Sequence, residues 1–294
     1  MSNDICAVSD LDREVCDHCN KAEPQQISAP SIPGLYAGIS EEIYHGDPNS
    51  LSSTGMRTLL EEGGPARFKA AAPVFSDEFD EGTAAHSLLL GAGPEVVEVK
   101  TDVWTPKAKA EREAARAKGQ VALKTKQFQM VHDMAEAARK VPEVAELLSL
   151  PGQAEMSAYA MDPQHWVMLR ARFDWLVVTG KRALVLDYKT TKNAGRRPFE
   201  RSGADYGYHI QDVTYRRVLR LLGIDVEQFL FLAQEKTRPY LVSLHEWDDA
   251  ALAEAERRVD DAIALYAQCR ELGYWPGYRG GINQMSLPAW AYGE

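Results

Sequence analysis

The sequence has few cysteines and no long apolar run, and both features narrow the classes of protein that it can represent. Its four cysteines, at positions 6, 16, 19 and 269, are not expected to form a disulfide framework in a chain of 294 residues. No apolar stretch approaches the roughly 18 residues that span a bilayer, and the N-terminal residues lack the basic and apolar regions of a signal peptide. We therefore expect a soluble, cytoplasmic protein with free thiols and no membrane contact.

Positive charge is outnumbered by negative charge overall, but it is concentrated in two segments. The 33 Lys and Arg residues against 43 Asp and Glu residues give a formal net charge of −10, which argues against a broad nucleic-acid surface. Residues 107–126 nevertheless contain seven basic and two acidic residues, and residues 189–201 contain five basic residues and one acidic residue. Both segments are compatible with local phosphate contact, although a solvated helix and loop remain an open alternative. The candidate DNA contacts are Lys107, Lys109, Arg112, Arg116, Lys192, Arg196 and Arg197.

Low periodicity separates residues 1–33 from the rest of the chain. This segment is polar and contains three prolines, so we predict a flexible N-terminal arm, followed by a single domain over residues 34–294. The arm includes Cys16-Asp17-His18-Cys19, with Cys6 as the other nearby candidate ligand. Because a structural zinc site needs about four ligands, a disordered tail is the favoured interpretation over an ordered metal site.

Periodicity in the remaining residues predicts an α/β fold. Alternating patterns and turn-like connectors predict three consecutive strands, at 155–161, 166–178 and 182–190, that form an antiparallel meander. Helices are predicted from about residue 52 to 62 and 80 to 90, and at 127–150, 205–222 and 248–272, with two further strands at 229–235 and 240–247. The predicted architecture is therefore a sheet that contains a meander and is flanked by helices.

The ends of two predicted strands carry residues suited to phosphate chemistry. In a strand, residues two apart share a face, so Asp187 and Lys189 point together while Tyr188 points away. Asp174 closes the alternating run Trp166–Trp175 on the preceding strand and would neighbour Asp187. Two carboxylates commonly hold Mg²⁺, and a nearby lysine can orient or deprotonate water and offset developing charge. A salt bridge between Lys189 and a carboxylate is the open alternative.

Asp174, followed on the next strand by Asp187-Tyr188-Lys189, resembles the core of the PD-(D/E)XK nuclease superfamily. Gly82-Thr83-Ala84-Ala85-His86 resembles the histidine motif of the RecB-like branch, and Gln211 with Tyr215 resembles its Gln-x-x-x-Tyr motif. The local sequence alone favours His86 as a hydrogen-bonded core residue. The order of the motifs favours His86 as a metal ligand instead. Within this branch the chain is similar to RecE-type phage recombination exonucleases from about residue 35 to 290. Further landmarks are Leu51-Ser52-Ser53, Glu235-Lys236 before Pro239-Tyr240, and Trp275-Pro276-Gly277-Tyr278.

The resemblance implies a restriction-endonuclease-like core with a central mixed sheet. It implies that His86, Asp174 and Asp187 bind the catalytic metals and that Lys189 is the catalytic lysine. Gln211 and Tyr215 would support the DNA backbone or orient the site, and Glu155 matches an additional acidic position of the family. The chain departs from the pattern at the proline of the superfamily name, because Phe173 precedes Asp174.

The activity implied by the resemblance is Mg²⁺-dependent hydrolysis of linear double-stranded DNA, with Mn²⁺ as a substitute. Digestion from 5′ to 3′ would leave 3′ overhangs for a RecT-type single-strand annealing protein, and the enzyme would form a homo-oligomeric ring in the cytoplasm of a bacterial host. The alternatives are an endonuclease or single-strand-specific nuclease of the same fold, or a catalytically idle DNA-binding protein. With Cys269 as the lone C-terminal cysteine and no Walker-type loop, we expect neither an iron-sulfur cluster nor a helicase motor.

Overall fold

The computed structural model describes residues 28–71, 77–287 and 291, which contain two β-sheets with helices packed around them. Cys16-Asp17-His18-Cys19, the weaker candidate for a metal site, lies outside the described residues, as does most of the predicted N-terminal arm. The elements in chain order are β1 (Gly34–Tyr36), α1 (Glu41–Gly46), β2 (Ser50–Ser52), α2 (Ser53–Leu60), α3 (Gly64–Ala70), α4 (Asp77–Leu90), β3 (Val96–Val99), α5 (Pro106–Arg116), β4 (Val121–Lys124), α6 (Thr125–Arg139), α7 (Pro142–Ser149), β5 (Gln153–Asp162), β6 (Val167–Thr179), β7 (Arg182–Thr191), α8 (Arg196–Tyr206), α9 (Tyr208–Leu221), β8 (Asp225–Glu235), β9 (Val242–His245) and α10 (Asp249–Leu272).

The larger sheet is mixed and contains the predicted meander. Its strand order is β1-β5-β6-β7-β8-β9, and β2 pairs with β6. Strands β5, β6 and β7 are consecutive and antiparallel, whereas β7 and β8 are parallel and are connected through α8 and α9. This topology confirms the predicted α/β class with a central mixed sheet flanked by helices.

Two layers of helices cover the two faces of this sheet. Helices α2, α9 and α10 share one buried cluster with Phe173 of β6 and Val185 of β7. Helices α4, α6 and α7 share a second cluster with Leu186 and Tyr188 of β7. Successive residues of β7 therefore face opposite layers, which explains why the strand is apolar on both faces before Asp187. A charged residue that continues such a strand needs a polar partner.

Capping residues fix the ends of two helices in the first layer, α2 and α10. The side chain of Ser52 accepts a hydrogen bond from the amide of Gly55 at the start of α2, as its sequence predicts. Asp248 caps α10 in the same way at Ala251, and Gly273 ends α10 in the left-handed conformation. None of the helices described in residues 28–71 and 77–287 is long and apolar enough to cross a membrane.

Two long helices of the prediction are each interrupted in the structure. The predicted helix at 127–150 is divided into α6 and α7, because Pro142 lies at the start of α7 and holds Val141 in an extended conformation. The predicted helix at 205–222 begins earlier, at Arg196, and is divided at Gly207, which has φ +66°. Arg196 and Arg197 therefore belong to the first turn of α8, and Lys192 lies between β7 and this helix.

Residues 95–124 form a small unit that periodicity did not reveal. Strands β3 and β4 pair in parallel, from Val96 opposite Val121 to Val99 opposite Lys124, and α5 connects them. The first basic segment of the sequence thus lies in a β-α-β unit between α4 and α6. Strands β1 and β2, each of three residues, were also missed, since such short strands carry too little alternation to identify.

Candidate active site

The predicted site residues converge where β6 and β7 separate. The pairing of these strands runs from Thr179 opposite Arg182 to Trp175 opposite Leu186. Asp174 and Asp187 are the next residues along the two strands, so the prediction that their strands adjoin is confirmed. The amide of Tyr188 donates a hydrogen bond to Asp174 Oδ2 at 2.7 Å. Strand separation therefore leaves room for two carboxylates.

Glu155 lies at an interruption of the neighbouring pair of strands. Ala154 pairs with Trp175 and Met156 pairs with Phe173, whereas Glu155 between them has φ +53°. A residue with a side chain needs about 1–2 kcal/mol to adopt this left-handed conformation. Local strain of this kind clusters at functional sites, where surrounding contacts maintain it. Glu155 thus joins the two aspartates at the same level of the sheet.

Three side chains at this level form a group that fits a divalent cation. Helix α4 contributes His86, and one ligand atom from each of His86, Glu155 and Asp174 lies within 4.8 Å of the other two. His86 Nδ1 is 3.3 Å from Asp174 Oδ2, and its ring packs 4.9 Å from the ring of Tyr188. Carboxylate oxygens suit Mg²⁺ and Mn²⁺, and imidazole suits transition metals. The donor set therefore fits a divalent cation of this kind.

Asp187 and Lys189 form a buried ion pair beside that group. Lys189 Nζ is 2.5 Å from Asp187 Oδ2, and Gln211 Nε2 donates a hydrogen bond to Asp187 Oδ1 at 2.5 Å. The side chain of Asp187 is only 1 % exposed. The salt bridge considered for Lys189 is thus present, within one strand. It leaves a ligand role open for Asp187, because a carboxylate has more lone pairs than these two contacts use.

Burial shifts the pKa of the carboxylates and of the histidine in the site. Burial raises the pKa of Glu155 to about 7, with repulsion from Asp174 adding to the effect, and burial raises the pKa of Asp187 to about 6. Burial alone would lower the pKa of Lys189, but the neighbouring carboxylates of Asp187 and Asp174 outweigh it and raise that pKa. Burial lowers the pKa of His86 to about 4, so its imidazole is neutral and can act as a ligand.

We expect Glu155 to make the metal-free protein progressively less stable as the pH rises from about 5 to 8. The pKa of Glu155 in the folded protein is about 7, above its ordinary value of 4.5. Between these values the folded state binds more protons than the unfolded chain, so the free energy of unfolding falls with increasing pH. Glu155 alone contributes up to about 3 kcal/mol to this fall.

Unfolding in urea at pH 5 and pH 8, in the presence of EDTA, measures this effect. Glu155→Gln should reduce the pH dependence and be more stable than the wild type at pH 8. Glu146→Gln, at an exposed position of α7, is the matched control and should behave as the wild type. An unchanged pH dependence in Glu155→Gln would contradict the expectation.

The two residues of the Gln-x-x-x-Tyr motif have different surroundings on α9. Gln211 reaches Asp187, as described above. Tyr215 is 7 % exposed, and its ring packs 5.0 Å from Phe173, the residue before Asp174. Gln211 therefore orients a carboxylate directly, whereas Tyr215 supports the strand that carries Asp174.

The predicted DNA contacts fall into two groups. Arg112 and Arg116 both pair with Asp80 Oδ2, at 2.8 and 2.9 Å, so they fasten α5 to the helix that carries His86. The remaining residues are exposed, two of them on α5 and the others at or just before the start of α8. DNA contact by either group stays a prediction. The exposed residues are Lys107, Lys109, Lys192, Arg196 and Arg197.

Two residues that contact the site were missed in the sequence. Arg172 Nε lies 3.9 Å from Glu155 Oε2, and the guanidinium also donates to the carbonyl of Ile39. The available signal for Arg172 was its charge between two apolar neighbours, Ala171 and Phe173. Lys189 Nζ lies 5.1 Å from the centre of the Tyr208 ring. No local pattern distinguishes Tyr208, since its role depends on the fold.

Comparison with known proteins connects this geometry to a family. Residues 75–288 match a family described as a PDDEXK-like domain of unknown function, DUF3799. The comparison with curated proteins gives no match. A crystal structure from Eubacterium rectale, provisionally named an exonuclease, is 13% identical, has a TM-score of 0.57, and is matched over 87% of this chain and 99% of that chain. At this identity the likeness shows the fold alone.

A second solved structure is similar over much of the chain. It is a phage-related exonuclease from Haemophilus somnus 129PT, 13% identical, matched over 76% of this chain and 96% of that chain. Its TM-score of 0.33 is too low to support a conclusion about the fold.

Proposed function

The chain belongs to the DUF3799 family of PDDEXK-like domains, and from this membership we propose that it is a divalent-metal-dependent deoxyribonuclease. The observation that carries the proposal is the group formed by His86, Glu155 and Asp174, whose ligand atoms lie within 4.8 Å of one another. The ion pair between Lys189 and Asp187 lies beside this group. A catalytically idle domain of the same fold would not need buried, mutually repelling carboxylates, which are costly to maintain.

Each residue of the site has a role in phosphodiester hydrolysis. His86, Glu155 and Asp174 would hold the cation, with Asp187 as a further candidate ligand. A bound divalent cation supplies Lewis-acid stabilisation of the phosphate and lowers the pKa of bound water. Lys189 stays protonated beside its two carboxylates, so its ammonium group can orient the attacking water and offset negative charge that develops on the phosphate oxygens. Gln211 fixes the carboxylate of Asp187.

The preferred cation in this proposal is Mg²⁺, with Mn²⁺ as a substitute. The carboxylates favour Mg²⁺, and the imidazole of His86 makes Mn²⁺ a suitable replacement. The finer description rests on the resemblance to RecE-type exonucleases: digestion of linear duplex from the 5′ end, 3′ overhangs, a RecT-type annealing partner and assembly into a ring. Location in the bacterial cytoplasm belongs to the same set of expectations.

Digestion of matched DNA substrates tests the proposal. We expect the protein with Mg²⁺ to release mononucleotides from linear duplex labelled at the 5′ end, and EDTA to stop the release. Closed circular duplex of the same sequence should remain intact, because an exonuclease needs an end. Slower release of a 3′ label than of a 5′ label would support the proposed polarity.

The other outcomes identify the alternatives. Cleavage of closed circles would favour an endonuclease, and digestion of single strands alone would favour a single-strand-specific nuclease. No cleavage of any substrate, together with no binding of Mg²⁺ or Mn²⁺ in calorimetry, would overturn the proposal in favour of an idle DNA-binding protein.

A further inference from the structure

An exposed aromatic ring stacks on the tyrosine that contacts the proposed catalytic lysine. Tyr206, the last residue of α8, is 59 % exposed. Its ring stacks on Tyr208, with 5.8 Å between centroids and 23° between planes. The ammonium group of Lys189 lies 5.1 Å from the centroid of Tyr208. Tyr206 therefore lies one ring further from Lys189 and has an open face toward solvent.

Tyr206 is held on a fixed support. Tyr208 stacks in turn on Phe231 of the core, with 5.7 Å between centroids and 19° between planes. We call Tyr206, Tyr208 and Phe231 the aromatic stack. Because the stack continues into the core, the ring of Tyr206 is already positioned before any ligand arrives, which reduces the entropic penalty of binding.

The turn between α8 and α9 maintains this arrangement. Gly207 has φ +66°, and a Cβ at this position would lie 2.4 Å from Arg57 Cδ. The guanidinium of Arg57 also donates a hydrogen bond to the carbonyl of Tyr206. The close approach of Arg57 thus requires glycine here and fixes the backbone on which Tyr206 is displayed.

A nucleotide combines the two chemical groups that this arrangement accommodates. A flat, uncharged base suits the open face of Tyr206, and the phosphate suits the neighbourhood of Lys189. Stacking on an aromatic side chain is available to every base and does not depend on sequence. Building on the nuclease function proposed above, we propose that Tyr206 is a stacking platform for a nucleobase of the cleaved strand, close to the attacked phosphate.

This role determines the class of substrate. In continuous duplex both faces of a base are covered by neighbouring bases, so the base on Tyr206 belongs to a strand end or to a single strand. The protein should therefore act on DNA ends and unpaired strands in preference to internal duplex. Sequence preference from this contact should be weak.

Binding of a fluorescent oligonucleotide tests the contact without requiring hydrolysis. A single strand with 2-aminopurine near its 5′ end is titrated with protein in Ca²⁺. Stacking should quench the fluorescence with the wild type and with Tyr206→Phe. Tyr206→Ala should lose the quenching and bind about tenfold more weakly. Tyr274→Ala removes an exposed tyrosine of similar exposure, 67 %, beyond α10 and should behave as the wild type.

Cleavage of abasic substrates separates stacking from a structural role of Tyr206. Tyr206→Ala should raise KM about tenfold for an oligonucleotide with all bases present. With an abasic site at the stacked position, found by moving the abasic site along the strand, the wild type and Tyr206→Ala should have equal KM values. A loss of activity that is the same on both substrates would overturn the proposal, because it would mean that Tyr206 only supports Tyr208 and Lys189.

Failure of this inference is distinguishable from failure of the nuclease proposal. If the wild type cleaves the oligonucleotides but Tyr206→Ala shows no base-dependent change in quenching or KM, only the stacking role is overturned. If the wild type cleaves none of the substrates, the nuclease function is overturned and the stacking role falls with it.

Discussion

Replacing Lys189 with methionine is expected to lower the rate of DNA hydrolysis about 10²- to 10³-fold, the usual effect of removing one group that stabilises transition-state charge. Methionine keeps much of the length of the side chain but has no charge and no proton donor. In the wild type, Lys189 Nζ lies 2.5 Å from Asp187 Oδ2 and is kept protonated by the surrounding carboxylates. The loss should therefore appear in kcat.

Metal binding distinguishes this chemical effect from collapse of the site. In Lys189→Met the carboxylate of Asp187 loses its counter-ion, so Mn²⁺ should bind at least as tightly as to the wild type in calorimetry. Lys181→Met, at an exposed position in the turn between β6 and β7, is the matched control for kcat. Hydrolysis by Lys189→Met at the wild-type rate would exclude Lys189 from the chemical step.

Replacing Asp174 with asparagine is expected to weaken the binding of Mn²⁺ and Mg²⁺ by about 100-fold or more, since even partners outside the ligand set change metal affinity by 10–100-fold. Asparagine preserves the shape of the side chain but removes its charge. Asp174 belongs to the group of candidate ligands, and its Oδ2 lies 3.3 Å from His86 Nδ1 and 2.7 Å from the amide of Tyr188. Hydrolysis should be lost together with metal binding.

Thermal unfolding gives a readout of this loss that does not depend on activity. A cation at 100 times its Kd stabilises the folded state by about 2.7 kcal/mol, so the wild type should unfold at a higher temperature when Mn²⁺ is added. Asp174→Asn should show little of this increase at the same concentration. Asp205→Asn, at an exposed position of α8, should respond as the wild type does. A full response to Mn²⁺ in Asp174→Asn would place the metal elsewhere.

The sheet and its carboxylates were predictable because their signals are local. Alternation and short polar connectors identify β5, β6 and β7, and consecutive strands with such connectors pair as a meander. Once that pairing is fixed, Asp174 and Asp187 must face each other across the two strands. The break at Pro142 was predictable from the same kind of rule, but the helical spacing around it concealed the effect.

The remaining features of the site depend on contacts between distant residues. The left-handed conformation of Glu155 is maintained by the strand pairs on either side and leaves no trace in its own sequence. The charge count placed Arg112 and Arg116 in a basic segment. It could not reveal that both pair with Asp80, more than thirty positions earlier. His86 had an ordinary helical context, and only the packing of α4 brings it to the carboxylates.

The separation of β6 from β7 also decides how one backbone amide is used. Up to Trp175 and Leu186 the facing amides and carbonyls of the two strands are engaged with each other. Just beyond that point, the amide of Tyr188 donates to the side chain of Asp174 instead. If the strands paired one step further, they would compete for the donor that holds this carboxylate. The point at which the β6–β7 ladder ends therefore also fixes the position of the Asp174 carboxylate. Extending the pairing of these strands would remove the hydrogen bond that holds this candidate metal ligand.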